Sequence, residues 1–326
     1  MCGIVGYVGN RQASNLLVEG LSKLEYRGYD SAGVAILNNG INVRKFKGRL
    51  NNLATSLKEN PINGHIGIGH TRWATHGEPS DVNSHPHTTE NATISVVHNG
   101  IIENYMKLRE WLTSKGYKFF SETDTEVIPN LVDYYYEGDL FEAVVKATSK
   151  LEGRAKNEPD KIVAVRKDSP LIVGLGKNES FIASDIPAVL NHTREVYLLE
   201  DKEFAILTSN GVELRNEDGE KIEKEIYHVT WNIDAAEKGG FEDFMLKEIH
   251  EQPKAVKDTL AGKIVLGKEI TIDNIAFTKK ELENFDRIYI VACGTAYHAG
   301  LVGKTVIEKF AKIPVEVDIA SEFRYR

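Results

Sequence analysis

The sequence predicts an α+β fold, with two antiparallel sheets and helices outside them, and three observations support this. Short strand patterns dominate the first hundred residues, and two amphipathic helix patterns follow near 125–136 and 139–150. Further strand patterns then run from Lys161 to Tyr227. Strands, then paired helices, then more strands are typical of α+β proteins and not of alternating β-α-β chains.

Periodicity and turn residues predict the N-terminal elements in order. Ile4 to Val8 is a continuous apolar run typical of a buried strand, and leucines repeat on one face of a helix over 12–24. Asn38-Asn39-Gly40 is a hairpin signal between two predicted strands. The same criteria predict strands at 31–37, 41–47, 64–70 and 92–98, helices at 50–60 and 102–115, and a long loop at 71–91.

The C-terminal part has a different pattern. Residues 241–260 predict a helix that is kinked or broken at Pro253. An apolar strand at 287–292 leads into Cys293-Gly294-Thr295, and a helix and a second strand follow. A strand, a glycine turn, a helix and a strand in this order predict the beginning of a parallel α/β sheet.

Composition limits the partners that we expect. The chain has 326 residues, of which 41% are hydrophobic and 27% charged, as in ordinary soluble globular proteins. A net charge of −8 argues against nucleic acid or an anionic membrane as partner. We find no apolar run long enough to span a membrane and no leader. The two cysteines, Cys2 and Cys293, fit a reducing compartment, so we expect a cytoplasmic location.

The opening residues, MCGIVGYVGN, indicate a nucleophile at the chain end. Initiator methionine is usually removed before a small residue, and its loss would give Cys2 both a thiol and a free α-amine. The amine titrates at roughly 7.7–8.0, so it can take the thiol proton near neutral pH. Taken alone, Cys2 is more often just a second residue, and other stretches must support a catalytic role.

Three further stretches carry chemically useful residues: YRGYDSAG at 26–33, HTRWATHGEP at 70–79 continued by His85-Pro86-His87, and His98-Asn99-Gly100 with Asp124 downstream. The Asn99 amide and the Gly100 N–H can converge on a developing oxyanion, although Asn-Gly alone is also a plain turn. The planar guanidinium of Arg72 can donate two hydrogen bonds to a carboxylate, and the negative charge of Asp124 can bind an ammonium group. Without the other stretches, the more common interpretation of Arg72 would be a surface ion pair, and that of Asp124 a helix N-cap.

With these motifs the sequence resembles the class-II, N-terminal-nucleophile glutamine amidotransferases. It most closely resembles the glutamine–fructose-6-phosphate amidotransferase (glucosamine-6-phosphate synthase, isomerizing) family. CGIVGY, YRGYDSAG, HTRWATHG, HNGIIENY and TDTEV stand where that family has them, and VACGTAYHAG and IASEFRYR extend the resemblance into its sugar half. The resemblance implies a four-layer αββα glutaminase sandwich at 1–230, a linker at 231–240, and the first part of an α/β sugar-isomerase (SIS) domain at 241–326.

The resemblance also implies roles for the site residues. Cys2 would attack the side-chain amide of glutamine, and Asn99 and Gly100 would stabilise the oxyanion. Arg72 would bind the substrate α-carboxylate and Asp124 its α-ammonium group. Residues implied to lie near the bound glutamine, or to support the site, are Trp73, Thr75, His76, His85 and Arg27.

Some of these residues allow other interpretations. The resemblance implies a mobile flap at 72–80 in which Trp73 screens the site, yet Trp73 could simply be core and Arg27 a buried structural partner. His85-x-His87 with His76 or Asp81 offers nitrogen and oxygen ligands for a metal. No His-Glu-x-x-His or Cys-x-x-Cys motif accompanies them, and an acyl-transfer cysteine needs no metal. We therefore expect no metal and no organic cofactor.

Cys293, Gly294 and Thr295 lie where a strand meets a helix N-terminus, which suits a phosphate. Similarity to sugar-isomerase domains implies that they belong to a fructose 6-phosphate site, which is incomplete here. The chain stops soon after this unit begins, so we expect a C-terminally truncated copy. The family pairs as homodimers through its isomerase half.

A second departure from the family lies at 151–158. The family has a hydrophobic strand after Leu-x-Gly, and this sequence instead reads Leu151-Glu152-Gly153-Arg154 and reaches Pro159 early. Loss of a central strand would expose two unpaired edges and open the core. We therefore expect a weakened fold, although the site residues lie outside this stretch.

The function predicted from the sequence is hydrolysis of glutamine to glutamate and ammonia through a thioester on Cys2. This is the ammonia-donating half of glucosamine 6-phosphate synthesis from fructose 6-phosphate and glutamine. One alternative is another class-II amidotransferase, such as amidophosphoribosyltransferase or asparagine synthetase. Another is an inactive sugar-phosphate-binding or interaction module.

Overall fold

The computed structural model describes residues 2–74, 76–150, 161–167, 169–209, 211–230, 241, 244–261 and 279–323. The chain divides into two compact units, Met1–Lys247 and Glu248–Arg326. The predicted linker at 231–240 and the predicted strand loss at 151–158 lie outside the described residues, so both stay predictions, as do the predicted domain boundaries.

The first unit is built mainly from strands. Its described strands are β1 (Gly3–Val8), β2 (Ser31–Leu37), β3 (Ile41–Lys47), β4 (Ile66–Arg72), β5 (His87–Thr88), β6 (Ser95–Val96), β7 (Ile162–Val165), β8 (Ile172–Gly176), β9 (Glu179–Ala183), β10 (Glu195–Leu198), β11 (Phe204–Thr208), β12 (Gly211–Arg215) and β13 (Tyr227–His228). Its described helices are α1 (Ala13–Ser22), α2 (Leu50–Glu59), α3 (Tyr105–Ser114), α4 (Val127–Tyr135) and α5 (Leu140–Thr148).

The larger sheet has β1 at its centre. Its strand order is β13-β10-β8-β9-β1-β4-β2-β3, and neighbouring strands are antiparallel. Gly3 lies opposite Thr71 of β4, and Val5 lies opposite Ala183 of β9. Cys2 therefore sits at the end of a strand that is held by hydrogen bonds on both sides.

Four layers account for the core of this unit. The second sheet has the order β12-β11-β7, also antiparallel. Apolar side chains such as Ile68, Ile182 and Leu207 fill the space between the two sheets. Leucines of α1 and α2 cover the other face of the large sheet, and α4 and α5 cover the small sheet. The predicted αββα arrangement is confirmed.

Local chemistry explains several element boundaries. Asn39 and Gly40 take positive φ values of 50° and 121° in the turn between β2 and β3, as the hairpin signal predicts. The Asp139 carboxylate accepts a hydrogen bond from the Glu142 N–H and caps α5. The predicted strand at 64–70 extends further, to Arg72, because Ser31 of β2 pairs with Arg72. That extension carries Arg72 to the end of the sheet.

Two other predictions about elements were wrong in part. The stretch predicted as a loop at 71–91 contains β5, which pairs with β6, the only described strand within the predicted 92–98. The helix predicted to be kinked or broken at Pro253 is not broken there, because α6 (Phe244–Leu260) runs through that residue. Proline removes one backbone donor, and on this exposed helix water can satisfy the carbonyl left over.

The second unit contains α7 (Lys279–Glu283), β14 (Ile288–Ala292), α8 (Gly294–Phe310), β15 (Val315–Ile319) and α9 (Ala320–Phe323). β14 and β15 are parallel, with Ile288 opposite Val315, and α8 connects them. This confirms the predicted strand–turn–helix–strand unit. Within the described ranges, no helix has the length and hydrophobicity needed to cross a bilayer.

Candidate active site around Cys2

A cavity of about 300 Å³ lies in the first unit, where Cys2 precedes β1. It is lined by Cys2, Arg27, His70, Arg72, Trp73, His76, His85, His98, Asn99, Gly100, Ile101, Thr123, Asp124, Thr125, Ser169 and Pro170. The lining comes from seven separate segments of the chain, which the sheet and its loops bring together. A volume of this size suits a small polar molecule such as an amino acid.

The Cys2 thiol is held against the backbone that follows β4. The backbone N–H of Trp73 donates to Cys2 Sγ at 3.1 Å. Burial raises the pKa of the Cys2 thiol, and the Trp73 hydrogen bond partly opposes this rise. A raised pKa leaves the thiol protonated near neutral pH, so a nucleophilic role requires a base.

Asn99 and Gly100 lie beside this cysteine. The Asn99 Nδ2 donates to the backbone carbonyl of Cys2 at 2.9 Å. Gly100 has a φ of +145°, and a Cβ at this position would lie 2.9 Å from His98 Nε2. Glycine is therefore required here, and Gly100 lines the cavity together with Asn99.

Arg72 presents a nitrogen without a partner. The guanidinium is buried, and its Nη2 donates to the carbonyl oxygens of His76 and Gly77. Its Nη1 has no hydrogen-bond partner within the described part of the chain. A buried guanidinium nitrogen in a cavity wall favours an anionic ligand such as a carboxylate. The surface ion pair considered from the sequence is wrong for this residue.

Asp124 is buried as well, at 4% exposure, and its carboxylate is anchored by the chain. Its Oδ2 accepts a hydrogen bond from the Ile102 N–H at 2.8 Å, and Thr125 Oγ1 donates to Oδ1 at 3.4 Å. Among the described residues, no lysine or arginine forms a salt bridge with it. The N-cap interpretation is wrong, because the carboxylate binds the distant Ile102 instead of the start of α4.

Three histidines are buried together at the cavity: His70 stacks on His85, and His87 contacts His85 edge-on. The ring centroids of His70 and His85 lie 4.2 Å apart, and those of His85 and His87 lie 4.8 Å apart. Burial lowers the pKa of each, that of His70 to about 3. The backbone N–H of His98 donates to His85 Nδ1 at 3.4 Å. The three rings are therefore neutral at working pH.

The segment at 26–33 braces the backbone that holds Cys2. Asp30 accepts a hydrogen bond from the Ala74 N–H, and its own N–H donates to the Arg72 carbonyl at 3.1 Å. A Cβ at Gly28 would lie 2.7 Å from the Arg72 carbonyl carbon. Only glycine permits this close approach, so the motif fixes where the end of β4 runs.

Arg27 and Trp73 border the cavity on its outer side. Arg27 Nη2 lies 2.5 Å from Asp185 Oδ2, and the Tyr26 hydroxyl donates to the same oxygen at 2.7 Å. The Trp73 indole is 50% exposed and contacts Tyr29 edge-on at 5.4 Å between ring centroids. Trp73 is therefore not a core residue.

Comparisons with known proteins agree with this arrangement. Residues 70–191 match the family model described as a glutamine amidotransferase domain, and residues 281–326 match that of the SIS domain. The chain is 70% identical to the glutamine–fructose-6-phosphate aminotransferases [isomerizing] of Clostridium acetobutylicum and Clostridium perfringens, and 52% identical to that of Aquifex aeolicus. Each match covers all of this chain and 55% of the relative. Residues 70–191 are thus similar to a glutamine amidotransferase domain, and the chain spans about half the length of these relatives.

Solved structures support the fold of this chain. The allosteric regulatory enzyme of purine biosynthesis superposes with a TM-score of 0.60 at 23% identity, over 66% of this chain and 49% of that one. Glutamine phosphoribosylpyrophosphate amidotransferase from B. subtilis gives 0.61 at 19% identity, over 97% and 65%. The alignment with the C. acetobutylicum relative spans 333 positions against the 326 residues of this chain, so that relative has additional residues within the matched region.

Every predicted glutamine-site residue within the described ranges lines the one cavity, and Thr75 lies outside those ranges. Cys293 directly precedes α8 in the second unit, and Gly294 and Thr295 begin that helix. Sequence reasoning assigned no role to several lining residues: His70, His98, Ile101, Thr123, Thr125, Ser169 and Pro170. The two histidines stand inside the quoted motifs, whereas nothing near Ser169 in the sequence indicates that its loop reaches the cavity.

Proposed function

We propose that this protein hydrolyses glutamine to glutamate and ammonia, with Cys2 as nucleophile once Met1 has been removed. One observation carries the proposal. Cys2, Asp124 and Arg72, whose buried Nη1 has no hydrogen-bond partner among the described residues, line a single cavity of about 300 Å³. A nucleophile, a cation and an anion in one small cavity match the side-chain amide, carboxylate and ammonium groups of an α-amino acid.

In the first step the α-amine of the trimmed Cys2 takes the thiol proton, and sulfur attacks the glutamine Cδ. Because burial raises the thiol pKa, a base beside the sulfur is needed, and the amine is on the same residue. The carbonyl electrons move onto oxygen, where the Asn99 amide and the Gly100 N–H are the proposed donors. The C–N bond then breaks, and the ammonium proton goes to the leaving ammonia.

The second step restores the enzyme. Water attacks the γ-glutamyl thioester, the C–S bond breaks, and glutamate leaves while the thiol regains its proton. We assign the α-carboxylate to Arg72 and the α-ammonium group to Asp124. Trp73, Thr75, His76 and His85 complete the proposed glutamine contacts, with Arg27 supporting them.

The fate of the ammonia is a further proposal, because the chain spans about half the length of the relatives it matches. Their name supports amination of fructose 6-phosphate to glucosamine 6-phosphate in a longer protein. Cys293, Gly294 and Thr295, at the start of the 17-residue α8, are the proposed partial phosphate site. We also propose a cytoplasmic location and dimerisation through the isomerase half.

The test is glutamate release from glutamine by wild type, Cys2→Ala and Cys293→Ala. Intact mass first verifies that Met1 is absent. We expect turnover by wild type and by Cys293→Ala, the matched cysteine control in the second unit, and none by Cys2→Ala. Equal rates for wild type and Cys2→Ala would refute the proposal.

A further inference from the structure

His70 contacts the proposed oxyanion residue directly. It lies on β4, opposite Ile4 of β1 and Gly33 of β2, and is 1% exposed. Its Nε2 lies 3.0 Å from Asn99 Oδ1 and 3.2 Å from the His98 carbonyl oxygen. We propose that His70 is a positioning residue that holds the Asn99 amide in the orientation needed to stabilise the oxyanion.

The contacts of His70 fix its tautomer. Both atoms facing Nε2 are oxygens that only accept, so Nε2 must carry the proton and donate to them. Nδ1 is buried without a hydrogen-bond partner in the described part of the chain, so a second proton there would be unsatisfied. Burial lowers the pKa of His70 to about 3, which agrees with a permanently neutral ring.

This tautomer in turn orients the Asn99 amide. With Oδ1 accepting from His70, the amide nitrogen points the opposite way and donates to the Cys2 carbonyl at 2.9 Å. Its second hydrogen remains for a ligand oxygen in the cavity. A flipped amide would place its NH₂ group against the His70 N–H and its oxygen against the Cys2 carbonyl, and both hydrogen bonds would become repulsive.

A neighbouring ring fixes the plane of His70. Its imidazole stacks on His85 with 4.2 Å between centroids and 30° between planes. The same Nε2–H also contacts the carbonyl just before Asn99, so His70 constrains both the backbone and the side chain at position 99. The inference rests on the proposed glutaminase function, since it concerns the oxyanion of that reaction.

Two substitutions separate hydrogen bonding from packing. His70→Gln keeps an N–H donor near the position of Nε2 and loses the stacked ring, whereas His70→Phe keeps a ring and loses the donor. We expect His70→Phe to lower kcat by about 10- to 100-fold, less than the 10²–10³ typical for removing an oxyanion donor outright. The KM for glutamine should stay within about threefold, and His70→Gln should recover most of kcat.

A double-mutant cycle tests whether the effect passes through Asn99. Asn99→Ala combined with His70→Phe should be no slower than Asn99→Ala alone. Alkylation of Cys2 by iodoacetamide needs no oxyanion, so its rate should be equal in wild type and His70→Phe. His70→Leu replaces the phenyl variant if that variant does not fold.

The outcomes distinguish the two proposals. Wild type that releases no glutamate overturns the glutaminase function itself. If wild type is active, the role of His70 is refuted when the fold-loss of kcat in the double variant equals the product of the fold-losses in His70→Phe and Asn99→Ala. It is also refuted if His70→Phe is faster than His70→Gln, or if only KM changes.

Discussion

Mild acid should destabilise the first unit of this protein strongly, because three neutral histidines are buried together at the cavity. His70, His85 and His87 have pKa values lowered by burial, and the charge of Lys45 further disfavours protonation of His87. In the unfolded chain each histidine titrates near its ordinary value of about 6.5. The unfolded state therefore binds more protons than the folded state between that value and the lowered one.

The sign and size follow from proton linkage. Stability is fully present above about pH 6.5 and falls as the pH drops towards the folded pKa, which for His70 is about 3. Three histidines together should remove about 4 kcal/mol between about pH 7 and about pH 5.5. That is a large part of the roughly 5–15 kcal/mol typical of a folded domain. Most carboxylates stay ionised over this interval and contribute little.

Urea unfolding followed by tryptophan fluorescence measures this effect. Of the three tryptophans of the chain, Trp73 and Trp111 lie among the described residues of the first unit. His87→Gln removes one of the three buried histidines and should reduce the pH-dependent loss by about a third. His228→Gln, at an exposed position, is the matched control for the substitution.

Two results would refute this reasoning. One is an equal free energy of unfolding at both pH values in wild type. The other is a His87→Gln variant whose loss on acidification equals that of wild type. Either would mean that the buried rings gain protons in the folded state.

Three further predictions concern single substitutions. Arg72→Lys should raise the KM for glutamine by about 10- to 100-fold, with a smaller effect on kcat, as measured by steady-state kinetics. The reason is that an ammonium group cannot bind two backbone carbonyls and a carboxylate at once, as the planar guanidinium can. Gly28→Ala should cost about 1–3 kcal/mol, seen as a lower Tm, because its Cβ would lie 2.7 Å from the Arg72 carbonyl carbon. Lys45→Met should destabilise the unit by about 1–3 kcal/mol in urea melts, because Nζ donates to three backbone carbonyls between residues 82 and 86.

Each of these has a contrary outcome. An unchanged KM in Arg72→Lys would remove Arg72 from carboxylate binding. A wild-type Tm in Gly28→Ala would show that the end of β4 can shift freely. A Lys45→Met variant as stable as wild type would mean that water replaces the ammonium group at no cost.

Local sequence patterns predicted the helices and strands that depend on neighbouring residues alone. The apolar run at 4–8 gave β1, and Asn38-Asn39-Gly40 gave the hairpin, because turn geometry and burial depend on adjacent residues. The residues grouped from the four motifs came together in one cavity. This grouping came from resemblance, since no spacing rule links Cys2 with Asp124.

Contacts between residues that are far apart in the sequence could not be predicted from local patterns. Asp124 precedes a helix and looks like its N-cap, yet its carboxylate binds the Ile102 N–H, a contact between distant parts of the chain. His70 lies in a strand, where the sequence does not indicate that its ring reaches Asn99. Of the kink or break predicted at Pro253, the break is wrong, because an exposed helix tolerates a missing donor.

The position of β1 between β4 and β9 has a consequence for biosynthesis. Its second neighbour comes from residues 179–183, so the strand stays half-paired until the ribosome has made more than half of the chain. At about 5–20 residues per second, synthesis from the end of β4 to the end of β9 takes on the order of five to twenty seconds. We expect the aminopeptidase that trims Met1 to act in this interval, before the growing chain encloses its own terminus.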